Sequence, residues 1–269
     1  MMKVVARVRY PEGPTVLPNC VCCVSYADDE VIVIAGGVES RLSLPRGSGP
    51  TGLARLSDGR TLACCYDAHT VTDLRAGWKI PFPNDIVADE RGGAFVTSSG
   101  SHDRDPFDPD LPHTGTVYYC DGVGCERLLL PRPLHYANGV ALAFGGAVLL
   151  VAEHFENRVV AYDVDYTQLK VRLSNERVAL ELPALPVDDQ LAGPDGLCVE
   201  GDRLFVAHFG GARVVEAELT RSGTGPVRCH HLPPELRYTT NVAVVGRKAF
   251  VTGFPSSSTL GSLASFDLP

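Results

Sequence analysis

Five stretches of the chain repeat one pattern of polar and apolar positions: TGLARLSDGRTLACC from Thr51, NDIVADERGGAFVTS from Asn84, NGVALAFGGAVLLVAE from Asn138, DGLCVEGDRLFVAH from Asp195 and TNVAVVGRKAFVTG from Thr240. In each, a polar opening leads into a short apolar run, a glycine-bearing turn follows, and a second apolar run ends the unit. That order predicts strand, tight turn, strand. Weaker third strands follow in GTVYYC, RVVAYDVD and RVVEAEL.

Anchoring the units at Glu12, Thr51, Asn84, Asn138, Asp195 and Asn241 gives spacings of 39, 33, 54, 57 and 46 residues. Continuing from Asn241 past the last residue and round to Glu12 leaves 40, the length of one more unit. Six units of roughly 45 residues with about four strands each predict an all-β fold, a six-bladed β-propeller with four-stranded blades. The strand-like VVARVRY and SLASFDL near the two termini are expected to pair in one blade, which closes the ring and removes an open sheet edge. Residues 1–269 are then one propeller domain. Two stacked β-sandwiches would explain neither the recurrent polar-Gly-apolar openings nor the 40-residue remainder.

Composition agrees and narrows the function. With 27 Gly and 20 Pro in 269 residues, about 17% of positions interrupt regular structure, which excludes long helices. The net charge of −8 speaks against a nucleic-acid partner and suits a cationic one. The longest uncharged stretch, residues 139–152, is too short to span a bilayer, so no membrane role is expected. MMKVVARVRYPEG lacks the apolar core of a signal peptide, and a cytoplasmic location is the expectation. Nine cysteines, with Cys22-Cys23 and Cys64-Cys65 adjacent, read as reduced core thiols pointing to opposite strand faces rather than as a disulfide framework. Cys20 and Cys23 form a C-x-x-C without the second ligand pair of a zinc site. Cys120 and Cys125 flank a predicted hairpin turn and are candidates for cross-strand neighbours.

Candidate chemistry follows from the ring. The first strand of every propeller blade lines the central channel, so the residues that open it converge at one end. Here these are Glu12, Asn84, Asn138 and Asp195, with Thr51 and Asn241 completing the circle. Two carboxylates and two amide oxygens are hard donors suited to one divalent cation, Ca²⁺ above all, with Zn²⁺, Fe²⁺ or Mn²⁺ as alternatives. Turn chemistry would account for a single Asn-Gly or Asp-Gly. It does not ask for Glu12.

The motifs Glu12-Gly13-Pro14, Pro83-Asn84-Asp85, Ala137-Asn138-Gly139-Val140 and Gly193-Pro194-Asp195-Gly196-Leu197, with VAEHFENRVVAYDVD and LFVAHFGGARVV, cover most of the chain. Together they resemble the family of gluconolactonases, regucalcin (senescence marker protein) and luciferin-regenerating enzymes, six-bladed propellers with strictosidine synthase as a more distant relative. The resemblance implies that Glu12, Asn138 and Asp195 ligate one divalent cation, that Asn84 joins them or contacts substrate, and that Asp195 is the catalytic carboxylate. It also implies a metal-dependent hydrolase, a lactonase opening a sugar or other small-molecule lactone. The alternatives are a cyclising, condensing or dehydrating enzyme of the strictosidine synthase type and a non-catalytic calcium-binding propeller. No G-x-S-x-G, P-loop or dinucleotide fingerprint is present.

If the second strand of each blade returns to the metal face, Ser98, Glu153 and His208 end there, with His154 adjacent. Tyr136 and His135 precede Asn138, and Tyr238 precedes Asn241 at a similar distance. The substrate-facing set is therefore expected to be Asn84, His102, Tyr136, Glu153, His154, His208 and Asn241. Residues 101–115 read as a loop over the channel mouth, where His102 and His113 reach substrate and Asp103, Asp105, Asp108 and Asp110 offer a second cation site without the terminal Glu of an EF-hand.

Overall fold

The structure, a computed structural model, describes residues 2–73, 77–100, 112–121, 123–167, 170–185 and 189–269. Twenty-four strands form six four-stranded antiparallel sheets, the blades of a six-bladed β-propeller. Five blades run consecutively along the chain, over residues 11–43, 50–79, 83–127, 137–181 and 193–231. The sixth takes its three inner strands from residues 238–267 and its outer strand, Lys3–Arg9, from the other end of the chain. Lys3 pairs with Ser265 and Arg9 with Leu260, so the two terminal segments close the ring as the sequence predicts. Two short 3-10 turns, His154–Glu156 and Pro234–Leu236, are the helical elements among the described residues. None of the described helices is long and apolar enough to cross a membrane.

The core is divided among six interblade seams. In Val148–Glu153, Leu149 and Val151 pack toward blade three, while Leu150 and Ala152 pack toward blade five. Both faces of such a strand are buried, which is why its sequence is continuously apolar rather than alternating. The adjacent cysteines obey the same pleat: Cys22 and Cys23 enter different seams, as do Cys64 and Cys65. Burial pushes all four thiols well up, leaving them as unreactive core groups. One pair departs from the expectation of reduced thiols throughout. Cys120 and Cys125 are cross-strand partners and are joined by a disulfide.

Every innermost strand carries a register shift near its start, between Glu12 and Thr15, Pro50 and Gly52, Pro83 and Ile86, Ala137 and Val140, Pro194 and Leu197, and Thr239 and Asn241. These bulges put Glu12, Thr51, Asn84, Asn138, Asp195 and Thr240 at equivalent places. The sixth anchor is thus Thr240, and Asn241 falls one place later, where four blades have glycine: Gly13, Gly52, Gly139 and Gly196. A Cβ on Gly139 would stand 2.2 Å from the Asp195 carbonyl oxygen and 2.8 Å from the Gly196 Cα. Neighbouring blades touch backbone to backbone at this level.

Blades three and six, on opposite sides of the ring, have Asp85 and Asn241 in the glycine position. The Asn241 side chain donates a hydrogen bond to Asp85 across the axis. Asp85 also accepts from the Ile86 N–H at 2.9 Å and the Val140 N–H at 3.2 Å, and Asn241 Oδ1 accepts from the Val242 N–H at 2.7 Å. Side chains from two blades fill the gap that four glycines leave.

Gly139→Ala should lower stability by roughly 2–3 kcal/mol, because no side-chain rotation relieves a clash with backbone. Gly124→Ala, where a Cβ meets nothing within 4 Å, is the control. Urea unfolding of both variants checks the difference; equal midpoints would contradict tight axial packing.

Candidate functional site

At the end of the channel where the innermost strands begin, a cavity of about 400 Å³ opens. Glu12, Thr51, Asn84, Asn138 and Asp195 line its floor. Each reaches it from a different blade, placed by the bulge at the start of its strand. Thr240, the sixth ring member, is fully buried and places its hydroxyl 2.7 Å from the Pro11 carbonyl oxygen and in hydrogen-bond contact with Glu12.

The floor is acidic, and among the described residues neither Lys nor Arg lines the cavity. Burial, then the charges of Asp195 and Asp85, pushes Glu12 well above the usual carboxylate range against hydrogen bonds from Thr240 and the Gly13 N–H. Asp195 is raised in the same way by burial and by Asp85, opposed by a hydrogen bond from Asn138. Asp85 lies deeper in the channel. Burial raises it to about 6, and its bonds from Ile86, Val140 and Asn241 offset part of that cost.

Both amides are oriented from behind. Asn84 Nδ2 donates to Ser99 Oγ at 2.9 Å, and Ser99 in turn donates to the Ala137 carbonyl at 3.1 Å. Asn138 Nδ2 sits 3.3 Å from His154 Nδ1. With the nitrogen ends engaged by protein, the amide oxygens are left for the cavity. Two carboxylates and two amide oxygens are the donor set a hard divalent cation requires, and their net charge of −2 matches its own. The chemistry of the residues present fits such an ion.

The walls are aromatic. Tyr10, Tyr26, Tyr66, Tyr136, Phe155 and Phe209 stand around the floor, with His154 among them. Tyr10 and Tyr136 each lie two residues before a ring anchor and adopt the left-handed conformation, with φ of 43° and 64°. Phe82, two before Asn84, does likewise at 45°. Tyr26, Tyr66 and His154 each lie one residue beyond the last inner pairing of a second strand, and Phe209 is the last paired residue of its own, opposite Gly193. An aromatic residue two before an anchor was a readable signal. Of the residues at the ends of the second strands, the sequence selects His154 but not Tyr26, Tyr66 or Phe209.

The reason is strand parity. The sequence picks Ser98, Glu153 and His208 as the residues returning to the cavity, but these are paired within their blades and line no part of it. The next residue turns inward instead: His154 and Phe209 line the cavity and Ser99 holds Asn84 from behind, since a one-residue step changes sides of the sheet. Glu153 is fully buried and structural: it accepts two bonds from Arg132, one from Arg158 at 2.8 Å and one from the His135 N–H at 3.0 Å. Burial alone would raise its pKa, yet these donors hold it below the ordinary value. His208 is 1% exposed and accepts from Arg213 Nε at 3.1 Å; burial and then the Arg213 charge lower it to about 3, which keeps it neutral. Asn241 lies off the cavity, in the axial pair with Asp85. Tyr238 packs on Phe209 behind the wall, with ring centroids 4.7 Å apart and planes tilted by 32°. His102 and the aspartates at 103, 105, 108 and 110 lie outside the described residues.

His154 braces the segment carrying Asp195. Its Nδ1 is 3.0 Å from the Pro194 carbonyl oxygen and its Nε2 2.9 Å from that of Leu191. Burial lowers its pKa, and in the neutral ring Nε2–H donates to the Leu191 carbonyl while Nδ1 accepts from Asn138 Nδ2, which ties Asn138 to the segment before Asp195. Tyr136 is hydrogen-bonded to Tyr66, and burial, with the charges nearby, raises it well above the phenol range. Its hydroxyl stays protonated.

Solved structures share this architecture. A gluconolactonase from Xanthomonas campestris superposes with a TM-score of 0.74 at 20% identity, over 100% of this chain and 89% of its own. A luciferin-regenerating enzyme gives 0.74 at 16%, over 98% and 94%. A calcium-binding regucalcin from Agrobacterium tumefaciens gives 0.72 at 16%, over 98% and 92%. At these identities the likeness is one of fold. No sequence among curated proteins matches the chain. The profile of the SMP-30/Gluconolactonase/LRE-like region, however, matches residues 17–252, nearly the whole propeller, and the chain therefore belongs to that family.

Proposed function

We propose that the protein is a metal-dependent lactonase acting on a small-molecule lactone, with Glu12, Asn84, Asn138 and Asp195 holding one divalent cation, Ca²⁺ by donor type. One observation carries this reading: two acids, Asp195 buried and Glu12 half-buried, and two oriented amides from four blades meet on one cavity floor with no Lys or Arg beside them among the described residues. Such a charge is costly to bury unpaired. When bound, the cation supplies Lewis-acid polarisation of the ester carbonyl.

The remaining work falls to the chain. Asp195, on the cavity floor beside the position the ester carbonyl would take, accepts the proton of the attacking water as its oxygen bonds to the carbonyl carbon. When the bond to the ring oxygen breaks, that proton passes to the departing alkoxide, so the product is the open hydroxy acid. Tyr136, kept protonated, turns its hydroxyl from Tyr66 to donate to a substrate oxygen from the wall. The aromatic collar and the volume of about 400 Å³ suit a single sugar or aryl ring lying flat between Tyr and Phe faces.

A panel of sugar, aliphatic and aryl lactones should show hydrolysis that chelator removes and Ca²⁺ restores. Asp195→Asn should cut kcat/KM on the best of them by roughly 10³-fold or more while the thermal midpoint stays near wild type. Retained turnover in that variant overturns the assignment of the base; metal binding without turnover of any lactone favours the non-catalytic alternative.

Glu153→Gln separates structure from chemistry. It should cost roughly 2 kcal/mol in urea unfolding, at the low end for a broken buried pair because Arg132 and Arg158 are partly hydrated. Below its unfolding temperature, kcat should stay within about threefold of wild type. A collapse of kcat with unchanged stability would instead make Glu153 part of the reaction.

A further inference from the structure

Three ligand-type side chains outside the channel meet at the rim of the cavity. His113 comes shortly before the strand Thr116–Cys120 of blade three, His135 just before the innermost strand of blade four, Ala137–Ala143, and Glu156 ends the turn His154–Glu156. One ligand atom from each lies within 4.8 Å of the others. His135 Nδ1 is 3.0 Å from Glu156 Oε1. The His113 and His135 rings are stacked, their centroids 3.9 Å apart and their planes 10° from parallel. An ion pair between His135 and Glu156 uses one imidazole; the second, brought to the same carboxylate, makes a ligand set.

The backbone holds this trio in place. Gly115 and Leu134 exchange hydrogen bonds of 3.0 and 2.8 Å, which fixes the His113 segment beside His135. The His135 N–H is bound by Glu153, itself clamped by Arg132 and Arg158. Asn157 N–H closes the turn under Glu156 by donating to the His154 carbonyl at 3.1 Å. Such supporting bonds are what keep metal ligands aimed.

We infer that His113, His135 and Glu156 form a second divalent-metal site, separate from the oxygen-lined channel and selective for a borderline ion of the Zn²⁺ type. Two imidazoles and one carboxylate, with a fourth position open, are a Zn²⁺ ligand set, and imidazole nitrogen discriminates against Ca²⁺. Two ligands on one tetrahedral ion stand roughly 3.4 Å apart. Rotation of the exposed His113 and Glu156 side chains closes the difference from 4.8 Å. Because His135 adjoins Tyr136 and Glu156 adjoins Phe155, neighbouring residues of the cavity wall, an ion there fastens this part of the blade-four wall to the His113 segment of blade three. The site does not depend on the reading of the channel.

The test uses untagged full-length protein in excess Ca²⁺, titrated with Zn²⁺ by calorimetry and with Co²⁺ by visible absorption. One equivalent of Zn²⁺ should bind, with the intense Co²⁺ bands of four-coordination, in wild type and in Asp195→Asn alike. His113→Asn and Glu156→Gln, both at exposed positions, should each weaken binding by more than roughly tenfold, whereas His231→Asn should not. No uptake in the presence of Ca²⁺, uptake unchanged in both rim variants, or uptake lost in Asp195→Asn would overturn the site.

Discussion

Six innermost strands must pass one another within backbone contact around a common axis, and everything distinctive about this propeller follows from how they do so. Each strand bulges once near its start. The bulge turns one side chain into the cavity and presents the following residue to the next blade, where only a glycine fits in four of six cases. A ring this tight cannot shift one member without moving its neighbours, so the residues at the bulges are held to a fixed geometry by packing alone.

That constraint also concentrates charge. Glu12 and Asp195 are delivered to the floor, and Asp85, in a glycine position, lies below them along the axis. Asp85 is not exposed to the cavity, yet it raises both acids above it. Its own burial is tolerated because Ile86, Val140 and Asn241 all donate to it. The axial Asp85–Asn241 contact thus plugs the channel and sets the electrostatic environment of the site, coupling closure of the fold to the affinity of the floor for positive charge.

The rim obeys a different logic. Glu153 is satisfied by two arginines and one backbone N–H, so its charge stabilises the entry of blade four and takes no part in the cavity. A carboxylate with paired cations and a carboxylate without them sit a few residues from the same cavity. Their surroundings, not their residue type, separate a structural role from a chemical one.

Repeating polar-Gly-apolar units, their count and the strand-like ends determined the propeller and its closure, because burial on both faces of a strand writes a continuous apolar run into the sequence. The same repeats determined four of the floor residues, since an Asn, Asp or Glu opening such a run has no core to enter. Parity was decided only by the tertiary structure. Bulges add a residue without leaving a compositional mark, and so the sixth anchor moved from Asn241 to Thr240, while on a returning strand the side that faces the cavity falls to Phe209 rather than His208. Likewise, nothing in the sequence singled out Asp85 beyond its place in Pro83-Asn84-Asp85, and the meeting of His113, His135 and Glu156 depends on a bridge between Gly115 and Leu134. Contacts between residues far apart in the chain leave no local pattern, and only the closed ring brings them together.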